Sequence, residues 1–152
     1  MKKFSIVAIV LMLFGQSYAQ NTNNKNPNKM NNTTKTEHYT FQLSDKVTRQ
    51  KVTFKNRYDI VLTGDLYTPI NGGNNLSAFA ISGPFGAVKE QSSGLYANQM
   101  AERGFVTLAF DPSYTGESSG EPRNVASPDI NTEDFSAAVD FLGIQKNIDR
   151  NK

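Results

Sequence analysis

Three stretches of this 152-residue chain hold residue types that could do chemistry. Gly116-Glu117-Ser118-Ser119-Gly120 is a formal G-x-S-x-G, the spacing that can hold a nucleophilic serine on a sharp turn. His38 is the only histidine, and there is no cysteine. Histidine titrates near neutrality, which suits a general base. The third stretch, Ile81-Ser82-Gly83-Pro84-Phe85-Gly86, ends an apolar run in a Gly/Pro turn. A turn at the carboxyl end of a strand can present backbone N–H groups to a developing oxyanion. Pro84 has no N–H, so Phe85 and then Gly86 are the donors to expect.

The serine fails the context its motif needs. A nucleophile elbow joins a strand directly to a helix. Here the apolar run ends near Phe110, and Glu121-Pro122-Arg123 continues a loop after Ser118. No histidine lies downstream to act as its base. Ser118 is therefore read as a decoy, and His38 as an exposed strand-edge residue without a catalytic part. One histidine with no cysteine cannot build the usual zinc site, and no phosphate-binding glycine motif occurs. No metal and no cofactor are expected. No catalytic set is complete within the chain.

Composition narrows the partners. The formal net charge is +2, and the charges are scattered. There is no basic stripe with interleaved aromatics, so nucleic acid is not an expected partner. Without cysteine, stability must come from an apolar core rather than disulfides.

The elements that would position these residues begin after an N-terminal preamble. Met1-Lys2-Lys3, the apolar run 4–14 and the small-x-small Ser17-Tyr18-Ala19 have the layout of a secretory signal peptide cleaved after Ala19. The run is too short for the roughly 20 residues of a membrane span. Export is expected, with no membrane anchor after removal of residues 1–19. Residues 20–37 are asparagine-rich and offer little apolar surface to offset backbone entropy, as in a disordered leader. The domain is then residues 38–152.

Within it, Tyr39, Phe41 and Leu43 alternate as in a half-buried strand over 38–43. Strands are also expected over 50–54 and 60–67, joined by the turn 56–59. The apolar run 77–82 reads as a strand buried on both faces. A helix over 89–103 ends at Gly104, and a second buried strand follows at 105–110. After a Ser/Gly/Pro-rich loop over 111–130, a helix is expected to start at Asn131 or Thr132. Glu133 and Asp134 would lie in its first turn, and Phe135, Ala138, Val139 and Leu142 on its apolar face. The fold class is α/β, with antiparallel N-terminal strands leading into a βαβα unit.

Read together, 64–69, 82–91, 105–111 and 114–120 resemble the dienelactone-hydrolase-like group of α/β hydrolases in order, spacing and wording. The resemblance implies a three-layer sandwich with central strand order one, two, four, three, five. It also implies an esterase-like acyl hydrolase acting on a small-molecule ester or acyl substrate. The family's serine or cysteine nucleophile, acid and histidine would all fall after Lys152, so the resemblance covers the N-terminal half and leaves the chain inactive alone. Only the oxyanion turn carries over, onto Phe85 and Gly86. Residues 77–82 would be an apolar open edge, inviting self-association. The competing expectation is a small exported binding module that uses the 111–130 loop.

Overall fold

The computed structural model describes residues 38–151; the expected signal peptide and leader lie outside them. Its element order is β1 (Val47–Lys55), β2 (Val61–Pro69), β3 (Ala78–Ile81), α1 (Ser92–Glu102), β4 (Val106–Phe110) and α2 (Pro128–Gly143). The four strands form one sheet in the order β1-β2-β4-β3. β1 pairs with β2, and β2 with β4, antiparallel; β3 and β4 run parallel.

Alternation along the strands builds a three-layer sandwich, because successive side chains leave opposite faces of a sheet. On one face Leu66, Val106, Leu108 and Phe110 pack with Ala138 and Leu142 of α2. On the other, Val47, Tyr67 and Ala109 pack with Ala97 and Ala101 of α1. The whole of β4 is buried, as its continuous apolar run requires. The β1–β2 hairpin closes through Asn56, whose side-chain oxygen accepts the Tyr58 and Ile60 amides at 2.9 and 3.1 Å.

Four expectations need correction. Residues 38–43 form no strand. Alternation there reports one buried face, not ladder pairing: Phe41 and Leu43 pack on the α1-side core, while the Thr40 amide bonds the Glu90 carbonyl at 3.0 Å. α1 starts at Ser92, after a turn that holds Lys89 and Glu90. It buries its small residues, leaving Leu95 and Tyr96 exposed. α2 starts at Pro128, where proline's missing N–H costs nothing, and Asp129 is its first-turn acid. Strand 77–82 is shorter, spans 78–81, and is only partly buried, with Phe79 exposed. β3 lies at the end of the strand order, so one of its long edges has no ladder partner among the described residues.

Gly104 does end the first helix region as expected, with φ +97, a left-handed conformation that a side chain disfavours. Past α2 the chain returns to the sheet. Leu76 and Ile148 form a parallel bridge, in which Leu76 donates to the Asn147 carbonyl and Asp149 to that of Leu76, each at 2.9 Å.

Candidate functional site

The turn after β3 sits where open α/β sheets place ligands, beyond a strand's carboxyl end. It closes on itself through Ala87, whose amide donates to the Pro84 carbonyl at 2.9 Å. Gly86 takes φ +83 at its apex. Phe85 is 72% exposed. Among the described residues the Phe85 and Gly86 amides form no hydrogen bond, so both are free to donate to a ligand.

A buried charge cluster fixes the far side of this turn. Lys89 is fully buried and its ammonium reaches Glu90 at 2.6 Å, Glu117 at 2.8 Å and Asp111 at 3.0 Å. Asp111, also fully buried, accepts the Lys89 backbone amide at 2.8 Å and the Glu117 amide at 3.0 Å. Burial by itself would lower the lysine's proton affinity, but the hydrogen bonds to Glu117, Glu90 and Asp111 push it above the usual lysine range. Lys51 also reaches Glu117, at 2.7 Å. The hydrogen bonds from Lys51 and then Lys89 hold the Glu117 carboxyl down at about 2. The cluster ties the start of the α1 region to the loop after β4 and leaves its carboxylates satisfied.

That loop is self-bonded. The Ser118 hydroxyl donates to the Asp111 carbonyl at 2.6 Å and accepts the Thr63 amide at 2.9 Å. Arg123 donates to the carbonyls of Ser118 and Gly116, at 2.5 and 2.7 Å. Gly116, at φ +53, lies against the Asp111 carboxylate, where a Cβ would collide. Ser118 is buried, with its hydroxyl's donor and acceptor roles both filled by backbone. His38 is exposed at the other end of the described residues, and no hydrogen bond joins it to Ser118. The structure thus does not bring the two together as a catalytic pair.

A second buried carboxylate secures the loop to α2. Asp134 accepts the Ser113 amide, the Ser113 hydroxyl and the Asn56 side-chain amide, each at 2.8 Å. Sequence reasoning placed Asp134 as a helix-dipole residue and missed this network. The available signal was its position beside the apolar face of α2, with side-chain donors at Asn56 and Ser113 in the flanking turns.

Between the 82–87 turn and α2 lie two small adjoining pockets. One, about 80 Å³, is lined by Ser82, Gly83, Phe110, Pro112, Asn131, Asp134 and Phe135. The other, about 60 Å³, lies under 83–87 and reaches Pro112, Thr115, Val125 and Asn131. Gly83, Pro112 and Asn131 line both. The arrangement therefore offers two free amides beside a cleft. The described residues can stabilise negative charge on an oxygen there, while Ser118 is not placed to attack a bound carbonyl.

No protein-family model matches the chain. The Pseudomonas aeruginosa protein PA2218, itself uncharacterized, is 71% identical over 114 residues, which are 74% of this chain and 31% of that protein. A thiohydrolase of Aspergillus aculeatus is 35% identical over 106 residues, 70% of this chain and 32% of its own length. Among solved structures, PA2218 superposes with a TM-score of 0.73 at 69% identity, covering 77% of this chain and 37% of that one. The α/β hydrolase GrgF of a Penicillium species gives a TM-score of 0.56 at 26% identity, over 66% of this chain and 34% of its own. The chain thus spans about a third of the length of the relatives it matches. Over that span, the fold of residues 38–151 is a partial α/β-hydrolase fold.

Proposed function

We propose that the turn 82–87 is the oxyanion-stabilising element of an esterase-like acyl hydrolase of the dienelactone-hydrolase-like kind. It would act on a small-molecule ester or thioester. The observation that carries this reading is the pair of unbonded amides, Phe85 and Gly86, at the carboxyl end of β3. The fold likeness to an α/β hydrolase and the identity to a thiohydrolase support the same class. Because Ser118 and His38 are unsuited to attack and proton transfer, nucleophile and base would come from elsewhere in a longer protein. This sequence would correspond to its N-terminal part.

The layout of residues 1–19 supports export of that protein. The outer edge of β3, with Val139 and Phe135 exposed on α2, supports self-association of the chain by itself. A binding module built on the 111–130 loop is the weaker reading, since Ser118, Arg123 and Asp111 spend their hydrogen bonds within the fold, on the loop itself and on Thr63 and Lys89.

The test is turnover of activated aryl esters and thioesters by the whole protein and by the 152-residue chain. The whole protein should turn over, and the chain should not rise above background. Phe85→Pro, which deletes one donor, should lower kcat of the whole protein about 10²–10³-fold, provided its circular dichroism is unchanged. Turnover by the 152-residue chain that vanishes in Ser118→Ala would overturn the reading.

A further inference from the structure

Gly94 is buried inside α1, although glycine is disfavoured within a helix. The reason is space. A Cβ there would fall 2.9 Å from both Cε1 and Cζ of Phe41 and would collide with the Lys89 carbonyl oxygen. Phe41 and the Lys89 backbone thus bear on the same bare Cα. Phe41 belongs to a strap, residues 39–44, that runs along the start of α1 without joining the sheet. The Thr40 amide and hydroxyl both donate to the Glu90 carbonyl, at 3.0 and 3.2 Å. Farther along, the Ser44 amide donates to Asn98 Oδ1 at 3.2 Å. The strap therefore touches the chain at 89–90, just past the 82–87 turn. Closed turns link the two places. The Lys89 amide is held by Asp111 at 2.8 Å, and the Gln91 amide donates to the Val88 carbonyl at 3.0 Å. The Val88 amide donates to Gln91 Oε1 at 3.2 Å, and the Ala87 amide to the Pro84 carbonyl at 2.9 Å. Little slack separates 89–90 from the unbonded Phe85 and Gly86 amides.

We infer that residues 39–44 are a releasable strap that regulates the 82–87 turn, with Phe41 as its positioning residue. Docked, Phe41 and Thr40 hold 89–90 so that the Phe85 and Gly86 amides keep their alignment; released, the pair loses it. The inference rests on the acyl-hydrolase reading for what those two amides do. The strap is built for local release. Among the described residues, the bonded backbone amides of 38–44 are those of Thr40 and Ser44. Segments with so few backbone bonds open without global unfolding. Tyr39 serves as the latch, since its hydroxyl donates to buried Asp65 at 2.6 Å. Stabilising an oxyanion depends on where its donors stand, so a small movement of the strap reaches the chemistry.

The test compares the ¹⁵N-labelled 152-residue chain with Phe41→Ala, Gly94→Ala and Leu43→Ala. Leu43 is the control: it packs on the same core from the same strap, whereas the atoms closest to a Cβ at Gly94 are those of Phe41 and Lys89. Phe41→Ala and Gly94→Ala should each shift the Phe85 and Gly86 amide resonances and quicken exchange of the Lys89 amide. Leu43→Ala should lower stability to urea yet leave those resonances in place. Phe41→Leu, which keeps an apolar plug, should give smaller shifts, and it is read instead if Phe41→Ala loses native dispersion. Unmoved Phe85 and Gly86 resonances in the Phe41 variants, equal movement in Leu43→Ala, or movement in Gly94→Ala alone would overturn the strap. Ester turnover by the whole protein is a separate readout. There Phe41→Ala should lower kcat about tenfold and leave KM in place, as lost alignment rather than lost binding. Shifted resonances with unchanged turnover sink the catalytic reading of the amides and leave the strap. Lowered turnover with unmoved resonances sinks the strap alone.

Discussion

Lys89 and Asp111 form an ion pair at 3.0 Å in which neither side chain reaches solvent. Three carboxylates share this one ammonium, and the Lys89 backbone amide is bound to the same aspartate. Removing one partner of a buried pair strands the other charge, typically at about 3–5 kcal/mol. Lys89→Met should therefore destabilise the chain by that order, measured by urea unfolding of the purified protein. Lys89→Arg should recover part of the loss. A Lys89→Met chain as stable as the parent would show that the cluster does not anchor the turn.

Ser118 presents the same logic with a neutral group. Its hydroxyl bridges the Asp111 carbonyl and the Thr63 amide inside the fold. Ser118→Ala leaves both backbone groups short of a partner and should cost about 1–3 kcal/mol in the same unfolding measurement. Ester turnover by the whole protein should change little. Loss of turnover in a variant that keeps its stability would overturn the decoy reading of Ser118.

Tyr39 donates to Asp65 at 2.6 Å, and the Arg49 guanidinium lies 3.4 Å from the centre of the Tyr39 ring. Burial pushes the Asp65 carboxyl above its usual range, against the lowering effect of that hydrogen bond. Tyr39→Phe leaves the buried carboxyl with no tyrosine donor. The loss should be about 1.5–3 kcal/mol at neutral pH, the range for a hydrogen bond to a charged group. Amide exchange should quicken at Thr40, whose amide bonds the Glu90 carbonyl. Unchanged stability and exchange would mean that residues 38–43 are held by Phe41, Leu43 and the Thr40–Glu90 bond without help from Tyr39.

Acid should loosen the charge cluster in a defined window. Glu117 titrates near 4.5 when unperturbed and is held at about 2 in the fold by Lys51 and Lys89. A depressed carboxylate contributes stability that is complete above the unfolded value and is lost as pH falls through the folded one. The Glu117 contribution should therefore fade between about pH 4.5 and pH 2. Glu117 is partly exposed, so added salt should shrink it. Glu117→Gln should flatten the stability profile across that window, read from thermal unfolding at a series of pH values. An identical slope in parent and variant would count against the assignment.

Local patterns carried the strands and the order of the elements because they are properties of neighbouring residues. Val106–Phe110 is apolar but for Thr107, and it is buried throughout. The limits appear where a pattern has two physical origins. Tyr39, Phe41 and Leu43 alternate because one side of a non-strand segment packs on the core. Pro128, read as part of the loop, is the first residue of α2. The Lys89 cluster was beyond local reading. Its carboxylates stand 1, 22 and 28 positions away, so only the β3–α1–β4 crossover brings them together. The 82–87 turn was legible in the sequence at Phe85 and Gly86, whereas the pocket that brings Ser82, Pro112 and Asn131 together is formed by segments far apart in the chain.

The last prediction concerns the outer edge of β3. A half-buried edge strand is a template for pairing with another chain. Beside it a pocket of about 210 Å³ is lined by Ala78, Ala80, Val139, Leu142 and Ile148, with Asp140, Asp149 and Arg150 at its charged rim, so an apolar strip joins the edge to α2. Val139 is 60% exposed there, and Phe135 is 41% exposed one turn earlier. Grouped apolar side chains of this kind drive association. The Leu76–Ile148 bridge covers only the start of the edge, ahead of Ala78. The 152-residue chain, or its form after removal of residues 1–19, should therefore self-associate at micromolar concentration in sedimentation. Val139→Glu should shift it toward monomer by placing a charge in the apolar surface without touching buried Ala138 or Leu142. Amides of Ala78–Ile81 should gain protection from exchange as concentration rises, while those of Val106–Phe110 should stay protected throughout. A monomer at all concentrations, with β3 as protected as β4, would mean that the edge is closed by another route and that a second copy is not its partner.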